Sequence, residues 1–98
     1  MDFIFEWDVN KARANFQKHK VGFEEAQSVF FDPFLVTFPD ELHSEAEDRF
    51  ISIGVSKSER VLLVIHTERK EANNSIAIRI ISCRKATPSE RKVYEEKE

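Results

Sequence analysis

The apolar residues of this chain change their period once, at Asp32-Pro33. Before that point Val9, Ala12 and Phe16 recur at three- and four-residue spacings, and after Gly22 so do Phe23, Ala26, Val29 and Phe30. This is the pattern of helices buried along one stripe. Beyond it Phe34, Val36 and Phe38 alternate with Leu35 and Thr37 until Pro39, the two-residue period of a strand with one buried face. Helical segments followed by a run of strands make an α+β domain. The chain has 98 residues, enough for one core and too few for two, so residues 1–98 form a single domain.

The boundaries follow from local chemistry. A short strand-like run, Phe3-Ile4-Phe5, precedes Asp8, which stands at a helix N-cap, and the spacing predicts a first helix over 9–20 and a second, short one from Phe23 to the Asp32-Pro33 break. Strands are expected over 34–38, 49–55, 60–67 and 76–83, and the polar links at 56–59 and 68–75 are short enough for antiparallel hairpins. The sheet is therefore expected to be a small antiparallel meander. Thr87-Pro88-Ser89-Glu90 combines an N-cap Thr, Pro at the first helical position and Glu at the third, which starts a C-terminal helix. Only Val93 and Tyr94 anchor it, so it is a candidate mobile element.

Cys83 is the only cysteine, which precludes an internal disulfide, and the N-terminus carries no basic segment followed by an apolar run. The expected location is the cytoplasm. The longest nearly apolar stretch, 61–65, is far shorter than the roughly 20 residues that cross a bilayer, so no membrane role is expected. The net charge of −3 is unevenly distributed: residues 40–48 hold five acids and no Lys or Arg, whereas residues 79–94 hold Arg79, Arg84, Lys85, Arg91 and Lys92 against Glu90 alone. One region can meet phosphates although the whole is acidic.

Phe5-Glu6-Trp7-Asp8, Lys11-Ala12, Asn15, Lys18-His19, Phe23-Glu24-Glu25-Ala26, Asp32-Pro33, Arg49, Ile53-Gly54, Ile78-Arg79-Ile80-Ile81-Ser82, Arg84-Lys85-Ala86, Glu90-Arg91 and Tyr94-Glu95 occur in order with characteristic gaps. Together they resemble the BrnT family of type II toxins over about residues 5–95. The resemblance implies a RelE-like fold with two N-terminal helices and a short C-terminal one, cleavage of RNA and inhibition of translation. It also implies neutralisation by a BrnA-type ribbon-helix-helix antitoxin in a toxin–antitoxin heterotetramer that touches operator DNA only through the antitoxin. Lys20 and Cys83 depart from the family's usual Gly and Ala; the first bears on the helix end, where a left-handed cap suits Gly better than Lys.

RNA is cut without a metal when the 2′-hydroxyl is deprotonated, cations stabilise the phosphorane and the 5′-oxygen is protonated. No paired His, Cys-x-x-Cys or calcium-loop order occurs in the sequence, so no cofactor or metal is expected. Arg84 at a strand end, Arg79 on the same strand and Arg69 in the 68–75 link are candidate phosphate ligands, each otherwise a partner for a carboxylate or a solvated charge. Arg79 and Arg84 are five residues apart, so they face opposite ways unless the strand ends or bulges between them. His19 is a candidate acid or base, or else a helix-capping cation. Glu90 is a capping residue or a base, and Tyr94, a turn later on the same face, is an acid/base group or an aromatic anchor. His66 alternates with Leu62 and Val64 as a core-edge histidine, and His43 is expected to be a solvated loop residue. The other class of function consistent with these residues is a binding module that serves as corepressor without catalysis.

Overall fold

A computed structural model describes residues 2–43 and 47–96; Glu45, one of the five acids of the 40–48 run, lies outside them. Helix α1 spans Val9–His19. The Asp8 carboxylate accepts the N–H groups of Asn10 and Lys11 at 2.8 and 3.1 Å, satisfying donors that a helix start leaves open. The helix closes one residue earlier than its periodicity suggests, because Lys20 is left-handed (φ 59°) and returns its N–H to Phe16 O at 2.8 Å. That backbone costs a lysine roughly 1 kcal/mol more than it costs glycine. Helix α2 (Phe23–Ser28) runs into a 3₁₀ turn, Val29–Phe31, that ends at Asp32.

Five strands follow the order β1-β5-β4-β3-β2, with β1 at Asp2–Glu6, β2 at Val36–Pro39, β3 at Phe50–Val55, β4 at Val61–Glu71 and β5 at Ser75–Lys85. Strands β2 to β5 form the expected antiparallel meander. The N-terminal run adds to it a fifth strand, parallel to β5, because α1 and α2 carry the chain across one face before the meander begins. Phe3 and Phe5 thereby meet Phe30 at 6.2 and 5.6 Å between ring centroids, within the range of favourable aromatic pairing. Strand β2 starts two residues later than the alternation predicts, since the Asp32 carboxylate accepts Phe34 N–H at 2.9 Å and holds 32–35 in a turn.

The 68–75 link is mostly strand. Only the turn Ala72–Asn74 separates β4 from β5, and Asn73 and Asn74 supply its positive φ angles of 62° and 61°, which Asn tolerates better than most residues. This ribbon projects beyond the core, so no apolar alternation marked it, and Arg69 lies on β4 rather than in a loop. Further along, Ile65 pairs with Ser82 but His66 pairs with Ile80, leaving Ile81 as a bulge. Strand β1 stops at Glu6, opposite Arg79. Beyond it a side chain replaces a neighbouring strand: Asn15 of α1, 7% exposed, accepts Cys83 N–H at 3.1 Å and donates to Cys83 O at 2.9 Å and Val21 O at 3.1 Å. Thus α1 is fixed against the bulged end of β5.

The core lies on both sides of the sheet. Val21, Phe23, Ala26, Val29 and Phe30 pack on Leu62, Val64, Ile78, Ile80 and Cys83 on the helical side. His66 is fully buried there, its Nε2 2.7 Å from Ser52 Oγ, and burial pushes its pKa down to about 4. On the opposite face α3 (Pro88–Glu95), started by the expected capping box, covers Ile53 and Leu63. Of its two expected anchors Tyr94 is buried and Val93 is exposed. Asp32 ties the layers together, accepting Val55 N–H at 2.8 Å and the Tyr94 hydroxyl at 2.7 Å. Gly54 lies at this crossing, where a Cβ would come within 2.9 Å of Leu35 Cδ1.

Candidate active-site groove

The face that carries α3 is only partly covered, and beside the helix it opens into a groove of about 400 Å³. Ile51, Leu63, Ile65 and Ile81 floor it; Asp40, His43, Arg49, Arg84 and Glu90 supply its polar groups. The loop from β2 to β3 brings three of these together, because Asp40 N–H donates to Arg49 O at 2.8 Å and closes it at its base. The 3₁₀ turn Glu41–His43 then places His43 Nδ1 3.2 Å from both oxygens of the Asp40 carboxylate. Asp40 is 9% exposed at its side chain and His43 66%. A buried carboxylate thus orients an imidazole that faces solvent, which favours one tautomer and stabilises the protonated ring.

Arg84 enters from the end of β5, and its fork is bidentate to Glu90, Nη1 to Oε1 at 2.7 Å and Nη2 to Oε2 at 2.9 Å. Glu90 also accepts Thr87 N–H at 2.9 Å, as its capping position requires. The Arg84 guanidinium and these N–H groups hold the Glu90 carboxyl down to about 2. Glu90 is therefore ionised at neutral pH and a very weak base, so its place in the groove is to hold Arg84 rather than to move a proton.

The bulge decides which arginines share this face. Arg79 pairs with Thr67 and Arg84 with Leu63, positions four apart on β4, so both project to the same side. They are separated by roughly 13 Å along the strand. Arg79 lies beside Glu6, Trp7 and Asp8 in a separate concavity of about 270 Å³. Arg69 bonds Glu6 at 3.1 and 3.5 Å and Glu71 at 3.0 Å, which raises its already high pKa. His19 lies in a third concavity, with Lys11, Lys18 and the bulge residues Ile81 and Ser82. Tyr94 does not line the groove; its hydroxyl is turned to Asp32 beneath α3.

Of the six residues singled out in the sequence, the groove gathers Arg84 and Glu90, with His19 just across the bulge, while Arg69, Arg79 and Tyr94 lie elsewhere. His43, Asp40 and Arg49 join it instead. His43 is not the isolated loop residue expected: its three-residue spacing from Asp40 was the available signal, hidden in a run that reads as solvated acids. Arg49 belongs to the motif set yet carries no local pattern that marks a ligand.

A family model described as "Ribonuclease toxin, BrnT, of type II toxin-antitoxin system" matches residues 7–90. The crystal structure of the Brucella abortus ribonuclease toxin BrnT superposes on 89% of this chain and 99% of its own, with a TM-score of 0.61 and 25% sequence identity. No curated protein matches. The motif order, the α+β architecture and the family match over most of the chain converge, and the chain belongs to the BrnT family of ribonuclease toxins of type II toxin–antitoxin systems.

Proposed function

We propose that this toxin is a metal-independent endoribonuclease that cuts RNA at the groove between the β2–β3 loop and α3. The observation that carries the reading is the meeting of a fixed guanidinium, Arg84 on Glu90, with an imidazole on a carboxylate, His43 on Asp40, and with Arg49 in one concavity. Arg84 and Arg49 stabilise the negative charge that accumulates on the phosphorane. His43, oriented by Asp40, takes the 2′-hydroxyl proton as a neutral ring or returns one to the 5′-oxygen as the imidazolium. The attacking O2′–P bond forms as the P–O5′ bond breaks, leaving a 2′,3′-cyclic phosphate and a 5′-hydroxyl. Charge stabilisation from the arginines and one acid/base group supply what a metal would otherwise supply.

The same reading places the chain in the cytoplasm, where RNA cleavage inhibits translation. Its partner is a BrnA-type ribbon-helix-helix antitoxin in a heterotetramer that meets operator DNA only through the antitoxin. Incubating purified toxin with RNA in EDTA tests the mechanism: cleavage persists, and Arg84→Ala lowers its rate by roughly 10²-fold, the scale of removing one preorganised donor. Arg84→Lys recovers part of the rate, since it keeps the charge and loses the fork. Activity that vanishes in chelator and returns with magnesium refutes the metal-free step.

A further inference from the structure

The α1 concavity and the groove are neighbours: Ile81 and Ser82 line both. The α1 concavity measures about 320 Å³, and its charged lining is Lys11, Lys18 and His19, with no carboxylate among the described lining residues. We infer that it is a phosphate-binding extension of the groove, along which an RNA strand continues from the scissile phosphate across the Ile81-Ser82 bulge to α1. This inference rests on the ribonuclease reading above and assigns residues outside the reacting centre.

The spacing and the anchoring support it together. Positions 11, 15, 18 and 19 recur at three to four residues, so they share one face of α1. Asn15 in the middle of that face is the residue clamped to Cys83, two positions past the bulge. The lysines flanking it are therefore held beside the strand that carries Arg84, on a helix that cannot slide without breaking buried hydrogen bonds. Lys18 and His19 also suit a helix C-terminus electrostatically, but Lys11 lies in the first turn, where a cation opposes the dipole. Its presence there has a reason if the face meets an anion. The only acid acting on Lys11, Asp8, is committed to the helix N-terminus through two backbone N–H groups. At the other end of the sheet, by contrast, Arg69 is neutralised by Glu6 and Glu71, and Arg79 lies with Glu6 and Asp8. The cationic continuation of the groove is the α1 side.

Phosphates bound by single-strand contacts lower the salt slope of log affinity by about 0.7 each, and each contact is worth roughly half a decade at low salt. The test uses a fluorescent RNA octanucleotide, 2′-O-methylated so that it cannot be cut, and the matching dinucleotide, whose binding is followed by NMR. In Lys11→Gln/Lys18→Gln the salt slope for the octanucleotide is expected to fall by about 1.4, and the affinity gained from dinucleotide to octanucleotide to shrink about tenfold. His19→Gln at a pH below the ring's titration is expected to do the same to a smaller degree. Both variants should retain the parental far-ultraviolet circular dichroism, since the lysines are exposed. An unchanged slope and length gain in the folded double variant overturns the track. A parent that does not bind the octanucleotide overturns both the track and the reading it rests on. A parent that binds it, loses slope in the variant and never cuts unmodified RNA overturns the ribonuclease reading alone.

Discussion

Replacing Glu90 with Gln separates the structural use of that residue from the use of its charge. Gln keeps the shape and can still close the capping box, since Gln serves at the third position as Glu does. What it removes is the negative partner of Arg84. The ion pair displaces the Glu90 carboxyl from 4.5 to about 2, which at about 1.4 kcal/mol per unit sets an upper bound near 3 kcal/mol. Glu90 is 25% and Arg84 37% exposed, and screening reduces the realised cost to about 1 kcal/mol. For a domain of this size that lowers Tm by about 5 °C. Because the folded carboxyl is depressed, its stabilisation is present above pH 4.5 and is lost as pH falls toward 2; the parent should lose that increment across the window and the variant should not. Activity should move the other way. With its fork released and one carboxylate gone from the groove, Arg84 meets phosphate without competition, and a gain of about 1 kcal/mol in substrate binding gives a roughly fivefold lower KM. Thermal melts at pH 7 and pH 3 and initial rates on a defined RNA measure both effects. If Glu90→Gln instead depresses kcat as far as Arg84→Ala does, Glu90 takes part in proton transfer and its assignment as a holder of Arg84 is wrong.

Two further outcomes follow from buried polar groups. His66, held neutral by burial, should titrate near pH 4 in an NMR experiment; its folded pKa lies below the unfolded 6.5, so it stabilises the fold above 6.5 and withdraws about 3 kcal/mol as pH falls to 4, partly offset by Glu68, whose raised carboxyl pKa acts in the opposite sense, and a ring titrating at 6.5 refutes the account. Asn15→Ala leaves the N–H and C=O of Cys83 and the C=O of Val21 without their partner, which at 1–3 kcal/mol per buried group should cost about 3–5 kcal/mol and more than ~10 °C in Tm; a variant melting within ~3 °C of the parent would show that water or a strand shift replaces the amide.

The fold was legible where one face of an element is buried. The helical stripe of α1, the alternation of β3 and β4 and the capping box of α3 each leave a periodic or positional trace, and each lies within a few residues of its expected bounds. The outer halves of β4 and β5 left none, because Glu68, Arg69, Lys70 and Glu71 cover no core and are strand only through hydrogen bonds to their partner. The partner of β1 was equally hidden: Phe3-Ile4-Phe5 reads as a strand in any sheet, and its parallel pairing with β5 depends on where two helices deliver the chain.

The groove was legible only as far as a single strand or helix could carry it. Arg84 and Glu90 are six residues apart across a strand end and a capping box, and local rules bring them near each other. The pairing of that unit with His43 and Arg49 depends on the closure of the β2–β3 loop by Asp40, a contact between residues that no periodicity links. The bulge is the sharpest case. Counting five residues from Arg79 to Arg84 puts them on opposite faces, and one extra residue, Ile81, reverses that. Yet sharing a face does not give them a common role, because Arg79 stands 13 Å or so further along, next to Glu6 and Asp8. The same extra residue brings Ile81 and Ser82 to the rim where the groove meets α1. What the bulge joins is therefore Arg84 to the lysines of α1, residues more than sixty positions apart in the chain, rather than the two arginines of its own strand.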